Sequence, residues 1–402
     1  MTIELDSTGA STHQHAAELR ETAAVCPILL PDGIPGVIIA RHQELRDHLS
    51  DPRAMRNAAY FTAYTEGRIP EQWQLNAFTL IQSMTTADGE DHRRMRGLTN
   101  RAFTARRVAA LRPWIEGLSG RLVSELPKHV DADGVVDLRH HLAYPLPMGV
   151  ISELLGVNPV YRERLHQLST RMVSTASTAE DAMAAQTEMH AILDQVVAER
   201  RAEPGEDLTS AMIAARDDEG ARLSQDELTG SLVLMVVAGH ETTLNLLTNA
   251  FRAMCAFPEQ RALALAGEIT WDQVVEETLR WDAPVANFPF RYPVTDIEID
   301  GIPVPKGTPI MAGYAGAGRD PREFGPTADQ FDATRPPARH LSFGQGVHFC
   351  VGAPLARMEA QIVLRDLFTA FPDLTLAVPN EELPPLPGFI NSSVAELPVR
   401  LG

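Results

Sequence analysis

The stretch from Phe343 to Pro354 limits the possible folds of this chain more than any other. It reads Phe-Gly-Gln-Gly-Val-His-Phe-Cys-Val-Gly-Ala-Pro and carries Cys350, one of only three cysteines. Residues 355 to 370 follow with apolar side chains at helical spacing, and Pro354 suits the first turn of a helix. A helix N-terminus stabilises a neighbouring thiolate through its macrodipole and free amide donors. The stretch therefore predicts a loop that presents an anionic sulfur, with a small buried cysteine as the alternative.

Glycines surround this cysteine, with Gly344 and Gly346 before it and Gly352 after it. Glycine permits positive φ and close backbone approach, so amide groups can point at the sulfur and a flat cofactor can lie against the loop. At every fixed position the stretch resembles the cysteine-ligand loop of the cytochrome P450 family, Phe-Gly-x-Gly-x-His-x-Cys-x-Gly. The resemblance implies that Cys350 is the ligand of a haem iron. It also implies that Phe343 and the three glycines contact the haem.

The composition predicts one large domain in a soluble, cytoplasmic protein. The 402 residues are 44% hydrophobic, enough for a substantial core, and no linker, low-complexity tract or repeat divides them. No uncharged apolar run reaches the roughly 20 residues of a membrane-spanning helix. Residues 1 to 14 are polar, lack a targeting signal and predict a flexible N-terminus. Three distant cysteines argue for a reducing compartment, and a net charge of −18 argues against nucleic acid and membrane partners.

Residues 224 to 256 predict an unusually long core helix that opens with a capping box. A polar insert, residues 239 to 243, interrupts its apolar middle. There a glycine weakens the helix by roughly 1 kcal/mol relative to alanine, and Glu241 must be paired or desolvated. The Thr242 hydroxyl can bond to the Ala238 carbonyl and open the helix locally. The insert is either a kink at a packing defect or an oxygen-binding groove in which Thr242 and Glu241 deliver protons.

The same insert is similar to the Ala-Gly-x-Glu-Thr-Thr element of the P450 family. The resemblance implies that Ala238 and Gly239 lie against the haem and that Glu241 and Thr242 are the catalytic residues. It assigns no role to His240, and we expect this residue to be a helical histidine with satisfied hydrogen bonds.

Six arginines and no acidic residue lie between residues 92 and 107 of this acidic chain. A solvated helix face is the ordinary interpretation of such a run. His92 and Arg96 are four residues apart, so both side chains can donate to the same carboxylates. The resemblance implies that this pair binds the haem propionates, together with Arg291 and His340.

The electrons for the implied haem chemistry must come from a separate protein. The chain has no Gly-x-Gly-x-x-Gly fingerprint after a strand, the pattern that indicates a bound flavin or nicotinamide. The resemblance implies a ferredoxin-type redox partner. We expect it to dock near Arg93, Arg94, Arg101 and the Cys350 loop of a monomeric protein.

Glu277 and Arg280 are spaced for an i, i+3 ion pair, which alone is a weak signal. The resemblance implies that they join Arg335 and hold the segment that precedes the cysteine loop. We interpret all three as structural.

The resemblance covers about residues 15 to 400 and implies the mainly α-helical P450 fold with smaller β-sheets. It places haem b (iron protoporphyrin IX) between the long helix and the cysteine loop. The soluble, acidic sequence resembles bacterial, actinomycete-like members. The implied activity is insertion of one oxygen atom from O₂ into a hydrophobic natural product such as a macrolide, steroid, terpene or peptide, by hydroxylation or epoxidation.

Three alternatives stay open. An oxidative enzyme that couples C–C or C–O bonds is compatible with every motif. A peroxide-driven enzyme has no need of Glu241 and Thr242, so their presence counts against it. A non-enzymatic haem-thiolate sensor is the alternative from another class.

The substrate pocket is expected to draw on the segment before residue 88, the long helix, the β-rich region after residue 285 and the C-terminal segment. Its expected residues are Met84, Thr85, Leu234, Val285, Ala286, Asn287, Phe288, Phe389 and Ile390.

Overall fold

The computed structural model describes residues 3–174, 178–216, 220, 222–337 and 339–402. The helices are α1 (Thr12–Thr22), α2 (His42–Ser50), α3 (Thr62–Thr65), α4 (Asn76–Thr79), α5 (Gly89–Ala102), α6 (Ala105–Ala110), α7 (Arg112–Glu125), α8 (Pro145–Leu155), α9 (Arg162–Val173), α10 (Ala179–Ala202), α11 (Leu208–Ala214), α12 (Gln225–Ala256), α13 (Pro258–Ala266), α14 (Trp271–Trp281), α15 (Tyr314–Gly318), α16 (Pro321–Phe324) and α17 (Ala353–Ala370).

The strands are short and form three small sheets. They are β1 (Ile3–Glu4), β2 (Val25–Leu30), β3 (Ile34–Ile39), β4 (Ala54–Met55), β5 (Val136–Asp137), β6 (Asn287–Pro293), β7 (Ile297–Ile299), β8 (Ile302–Val304), β9 (Ile310–Gly313), β10 (Thr375–Leu376) and β11 (Pro398–Arg400). The largest sheet has the order β1-β2-β3-β9-β6-β4, a second has the order β10-β11-β5, and β7 pairs with β8 as a hairpin. The expected architecture, mainly α-helical with smaller sheets, is confirmed.

The long helix α12 is the centre of the molecule. Its capping box is complete, because the Glu227 amide donates to the Ser224 hydroxyl at 3.1 Å and the Ser224 amide donates to the Glu227 carboxylate at 2.8 Å. Its first half packs into one apolar cluster through residues such as Leu232 and Val236. Its second half packs into another through residues such as Phe251. The polar insert lies between the two clusters, so burial of both ends holds an otherwise unfavourable segment in place.

By length and composition, α12 is the one described helix that could cross a membrane, yet 67% of its most apolar window is buried inside the protein. Burial against other helices accounts for this apolar surface. The helix is therefore a core element of the fold, as its pattern predicts.

The structure adds local detail at the N-terminus and in the arginine-rich stretch. The expected flexible N-terminus contains β1, whose Ile3 pairs with Ile28 of β2, and α1 begins at Thr12. The pairing of β1 with β2 at the sheet edge gives this segment a regular backbone conformation. The arginine-rich stretch is not one helix, because α5 ends at Ala102 and the Thr104 side chain caps α6. Residues 174–178 connect α9 to α10, and of these residues 175–177 are outside the described part of the chain.

Candidate active site

A cavity of about 230 Å³ lies between α12 and the cysteine loop, and we call it the lower cavity. Its walls come from α12, the loop, α17 and the β6 region. The α12 residues are Ala238, Gly239, Thr242, Thr243 and Leu246, and the loop residues are Phe343, Gly344, Gln345, His348, Cys350 and Gly352. Two segments more than a hundred residues apart thus face each other across one space, as the motifs predict.

The cysteine loop is closed by its own backbone. The Cys350 amide donates to the Phe343 carbonyl at 2.9 Å. Gly344 and Gly346 have φ angles of +73° and +74°. A Cβ atom at Gly346 would lie 2.9 Å from the Leu49 carbonyl oxygen, so this position also requires glycine for close approach. The glycines therefore shape the loop and let it pack against the end of α2.

The Cys350 sulfur lies at the start of α17, deep in the molecule but with its surface open to the lower cavity. Burial raises the thiol pKa above its usual value, whereas the amides of Gly352 and Ala353 and the cations Arg96 and Arg357 act in the opposite direction. Those amides and cations favour a thiolate once a metal binds the sulfur. The amides and cations that would stabilise an anionic sulfur therefore surround Cys350, while burial keeps its thiol pKa above the usual value.

A cluster of basic side chains lies beside the same cavity, where Arg291 and His348 form part of the wall and His92 packs against His348. The Arg96 guanidinium donates to the Phe349 carbonyl at 2.8 Å. The rings of His92 and His348 lie 4.4 Å apart. Within the described chain, His92 Nε2 and Arg291 Nε are buried without a hydrogen-bond partner. Buried polar atoms normally have partners, so this cluster has unused capacity to bind an anion.

Sequence reasoning missed His348 and misplaced His340. His348 lines the lower cavity, and its Nε2 lies 3.8 Å from Asp88. Burial lowers the His348 pKa to about 4 despite the Asp88 carboxylate. The propionate role expected for His340 is not supported, because its Nε2 lies 3.2 Å from Glu276 and its Nδ1 accepts the Ser342 amide. His348 belongs to the cysteine motif itself, so its position beside Cys350 was the available signal.

These features fit a haem. The Cys350 sulfur faces the cavity, the glycines leave room beside the loop, and within the described chain buried donors without hydrogen-bond partners lie next to the cavity, where they would donate to propionates. Cys350 would hold the iron. His92, Arg96, Arg291 and His348 would hold the propionates.

Within the polar insert of α12, Thr242 faces the lower cavity. The Thr242 hydroxyl donates to the Ala238 carbonyl at 2.6 Å, as predicted. The helix stays continuous through this point, so the bond does not interrupt it. A Cβ atom at Gly239 would lie 3.1 Å from Ile151 of α8, so this glycine permits close helix packing as well as lining the cavity.

Glu241 turns toward α9. Its Oε1 accepts the Thr170 hydroxyl at 2.7 Å and lies 3.4 Å from His240 Nδ1 and 4.0 Å from His166 Nδ1. Burial opposes ionisation of this carboxyl, but His240, Thr170 and His166 stabilise the anion more and bring the pKa to about 2. Glu241 is therefore ionised at neutral pH, on the α9 side of the polar insert.

A second cavity of about 150 Å³ continues from the first, and we call it the upper cavity. The two share Arg56, Thr85, Ala238, Thr242, Val285 and Phe288. Of the expected substrate-pocket residues, the structure brings Thr85, Leu234, Val285, Phe288 and Ile390 to its wall. The upper cavity is mostly apolar and lies next to the threonine.

The other four expected pocket residues are outside the lining of both cavities. Met84 packs in the core beside α12, and Ala286 is fully buried. The Asn287 side chain donates to the Phe389 carbonyl at 2.6 Å, and the Phe389 ring packs under the large sheet. Strand geometry explains the miss at Asn287, because it precedes Phe288 in β6 and neighbouring side chains of a strand point to opposite faces.

Arg56 is a cavity residue that the sequence pattern did not indicate. Its guanidinium carbon lies 4.9 Å from the Phe288 ring centroid, and it donates to the carbonyls of Thr85 and Pro289. Burial, with Arg291 nearby, lowers its pKa to about 10, so it stays charged at neutral pH. Phe78, Ile81, Met172, Val173, Val237 and Asn391 complete the missed residues of the upper cavity. They come from weakly periodic or distant segments that no local pattern brings together.

The expected structural trio is assembled. Glu277 accepts Arg280 Nε at 2.7 Å and Nη2 at 2.6 Å, and Arg335 Nε lies 3.3 Å away. Arg280 also donates to the carbonyls of Gly318 and Ala328. The trio thus connects α14 to the segment before the cysteine loop.

The expected docking arginines have different surroundings. Arg93 is 71% exposed and lies 3.6 Å from Glu90. Arg94 instead forms an ion pair with Glu227 at the start of α12, so its expected role on the docking face is not supported. Arg101 is exposed and donates to the Arg216 carbonyl.

Comparisons with known proteins agree with this geometry. The family model described as cytochrome P450 matches residues 43–177 and 270–391. The chain is 38% identical over 398 residues to 2-hydroxy-5-methyl-1-naphthoate 7-hydroxylase from Streptomyces carzinostaticus, covering 99% of this chain and 97% of the relative. It is 36% identical over 409 residues to 6-deoxyerythronolide B hydroxylase from Saccharopolyspora erythraea, covering 99% and 98%.

Solved structures agree as well. CYP154C4 from Streptomyces sp. ATCC 11861 superposes with a TM-score of 0.96 at 40% identity, covering 100% of this chain and 98% of that one. CYP154A1 from Streptomyces coelicolor A3(2) gives a TM-score of 0.92 at 42% identity, covering 100% of both chains.

Proposed function

The chain belongs to the cytochrome P450 family and is a haem-iron monooxygenase of the bacterial, actinomycete type, and we propose that it hydroxylates or epoxidises a hydrophobic natural product. The observation that carries the proposal is the opposition of Cys350 and Thr242 across the lower cavity. We further propose that the whole chain acts as one domain, in the cytoplasm, as a monomer, with haem b as the cofactor.

The chain's own residues would set the chemistry of the bound group. Haem, when bound, supplies the site at which O₂ is activated. We propose that Cys350 provides the thiolate ligand. His92 and His348 would provide hydrogen bonds for the propionates, and Arg96 and Arg291 would provide hydrogen bonds and positive charge.

Proton supply is the proposed task of the α12 insert. Glu241 is ionised and lies on the α9 side, where it can accept a proton. The Thr242 hydroxyl donates a hydrogen bond to the Ala238 carbonyl and lines the lower cavity, where it would hold a proton on the side of the cavity opposite Cys350. The two side chains therefore define a short route from the polar cluster into the cavity.

The upper cavity supports a hydrophobic small-molecule substrate. Its wall is mainly aliphatic and aromatic, with Thr242 at the reacting end and Arg56 and Glu241 as charged groups. Relatives are named for a naphthoate, for vitamin D3 and for the macrolide mycinamicin IV. The range of those names supports the natural-product class rather than one compound.

Reduction is proposed to come from a ferredoxin-type partner. On the cysteine loop, Val347 is 69% exposed and Phe349 is 41% exposed. Arg93 projects into solvent from α5. An apolar centre with a nearby cation fits an acidic protein that docks on the cysteine side.

Oxidative coupling is the second candidate. One neighbour, with a TM-score of 0.89 and 31% identity, is described as a P450 enzyme for C-S bond formation in chuangxinmycin biosynthesis. The same fold can therefore join atoms as well as insert oxygen.

Turnover under ¹⁸O₂ tests the proposal. The purified protein, with a surrogate ferredoxin and reductase, is given macrolides, steroids, terpenes, peptides and an aromatic acid chosen for Arg56. We expect a spectral shift from water displacement and one ¹⁸O atom in the product. An unlabelled coupled product would replace the proposal with coupling. Gas binding without turnover of any compound would favour a sensor.

A further inference from the structure

A buried cluster between α9 and α12 has the composition of a metal site. His166 on α9 and His240 and Glu241 on α12 place one ligand atom each within 4.8 Å of one another. The cluster is separate from the cysteine sulfur, which comes from a different loop. We propose that these three side chains bind one divalent transition-metal ion, with Zn²⁺ as the ion that best fits the donors.

Unused donors are the first argument. His240 is fully buried, and within the described chain neither of its ring nitrogens has a hydrogen-bond partner. The expectation of a satisfied helical histidine is therefore not met at Nε2, and Nδ1 has only a 3.4 Å contact with the Glu241 carboxylate. His166 Nδ1 is likewise buried without a hydrogen-bond partner. Three imidazole nitrogens thus lack a hydrogen-bond partner beside an ionised carboxylate, and a metal ion could satisfy one nitrogen of each ring.

The distances are the second argument. Tetrahedral zinc with bonds of about 2.0–2.1 Å holds its ligand atoms about 3.3 Å apart. His240 Nδ1 lies 3.4 Å from Glu241 Oε1, close to that value. His166 Nδ1 lies 4.0 Å from the same oxygen.

The surroundings hold His166 and leave an entry route. Tyr144 stacks on its ring at a centroid distance of 3.9 Å, and the Tyr144 hydroxyl donates to Glu163 at 2.6 Å. The His166 side chain is 25% exposed, so an ion can reach it from solvent. Arg139, the nearby cation, donates to the Asn245 side chain at 3.0 Å. Two imidazoles and one carboxylate are a donor set found in zinc sites with an open fourth position, which the Thr170 hydroxyl or water can fill.

Binding of the metal ion would connect α9 to α12. α9 carries Met172 and Val173 in the upper cavity wall, so an ion between α9 and α12 fixes that wall in place. It also occupies the Glu241 carboxylate, which the proposed function uses for protons. Zinc should therefore slow turnover, and this one consequence rests on the proposed function. Zinc binding itself does not rest on the proposed function.

Zinc stoichiometry tests the site without substrate or electron donor. The haem-loaded protein is dialysed against Zn²⁺, and bound zinc is measured by elemental analysis. We expect one zinc per chain at the site. His166→Phe and His240→Phe keep an aromatic ring and remove a ligand, and each should weaken binding at least tenfold.

His141→Ala is the matched control, because His129 and His141 form another histidine contact with ring centroids 4.2 Å apart. We expect it to retain the zinc. Zinc should also raise the unfolding temperature of the wild-type protein and not that of the two phenylalanine variants. Equal zinc content in wild type and both phenylalanine variants, or no bound zinc in the wild type, would overturn the site whatever the turnover assay shows.

Discussion

Removal of the Glu277 carboxylate should destabilise the protein more than the loss of any exposed ion pair does. In Glu277→Ala, Arg280 loses two hydrogen bonds of 2.7 and 2.6 Å, and Arg335 loses its 3.3 Å ion pair. The Asp332 amide also loses its acceptor at 2.8 Å. The Arg280 side chain is only 3% exposed, so water cannot replace the lost partner.

Loss of one partner of a buried ion pair costs about 3–5 kcal/mol, because the other charge stays buried. Unfolding entropy of about 2.1 cal/mol/K per residue gives about 0.84 kcal/mol/K for 402 residues. The expected fall in the unfolding temperature is therefore roughly 4–6 °C. Differential scanning calorimetry of the haem-loaded protein at one scan rate measures it.

Glu90→Ala is the matched control, because Glu90 and Arg93 form an i, i+3 pair with side chains 94% and 71% exposed. An exposed pair contributes about 1 kcal/mol at most, so the control should shift by about 1 °C or less. Equal falls in the unfolding temperature of the two variants would refute the claim that burial of Arg280 makes these contacts stabilise the protein.

Three further outcomes are expected. Thr242→Ala should keep substrate binding but divert electrons to hydrogen peroxide, measured as peroxide formed per electron donor consumed. An unchanged peroxide yield would show that the threonine does not deliver protons. Arg93→Glu should slow reduction by an acidic ferredoxin in stopped flow, most strongly at low salt; an unchanged rate would place docking elsewhere. Burial raises the Glu359 pKa well above its usual value, so the folded state keeps a proton that the unfolded state loses above its pKa of about 4.3. Glu359→Gln should thus gain stability over wild type as pH rises from 4 to 8, and a pH-independent difference would contradict this.

Local sequence patterns predicted the parts of the fold that local physics decides. The capping box at Ser224, the long apolar run of α12 and the proline at the start of α17 each fixed an element in the expected place. Glycine spacing around Cys350 predicted a loop open to a cavity, and the structure has it. The family and the enzyme class follow from the same residues.

Positions that depend on long-range packing were less predictable. His340 precedes the loop, but Glu276 on α14 holds its ring away from the cavity. Arg56 enters the cavity wall because contacts with Thr85 and Pro289, far apart in sequence, orient it. His240 was expected to have partners, yet the helix that packs against it supplies another histidine, His166. No local pattern carries that information.

The bond from the Cys350 sulfur to haem iron is tested most directly by the absorption spectrum of the reduced, carbon monoxide-bound protein. We expect a thiolate-type spectrum in the wild type and its loss in Cys350→Ser, with the helical circular dichroism of both retained. An imidazole-type spectrum in active wild-type protein, or a thiolate-type spectrum that persists in the serine variant, would contradict the assignment.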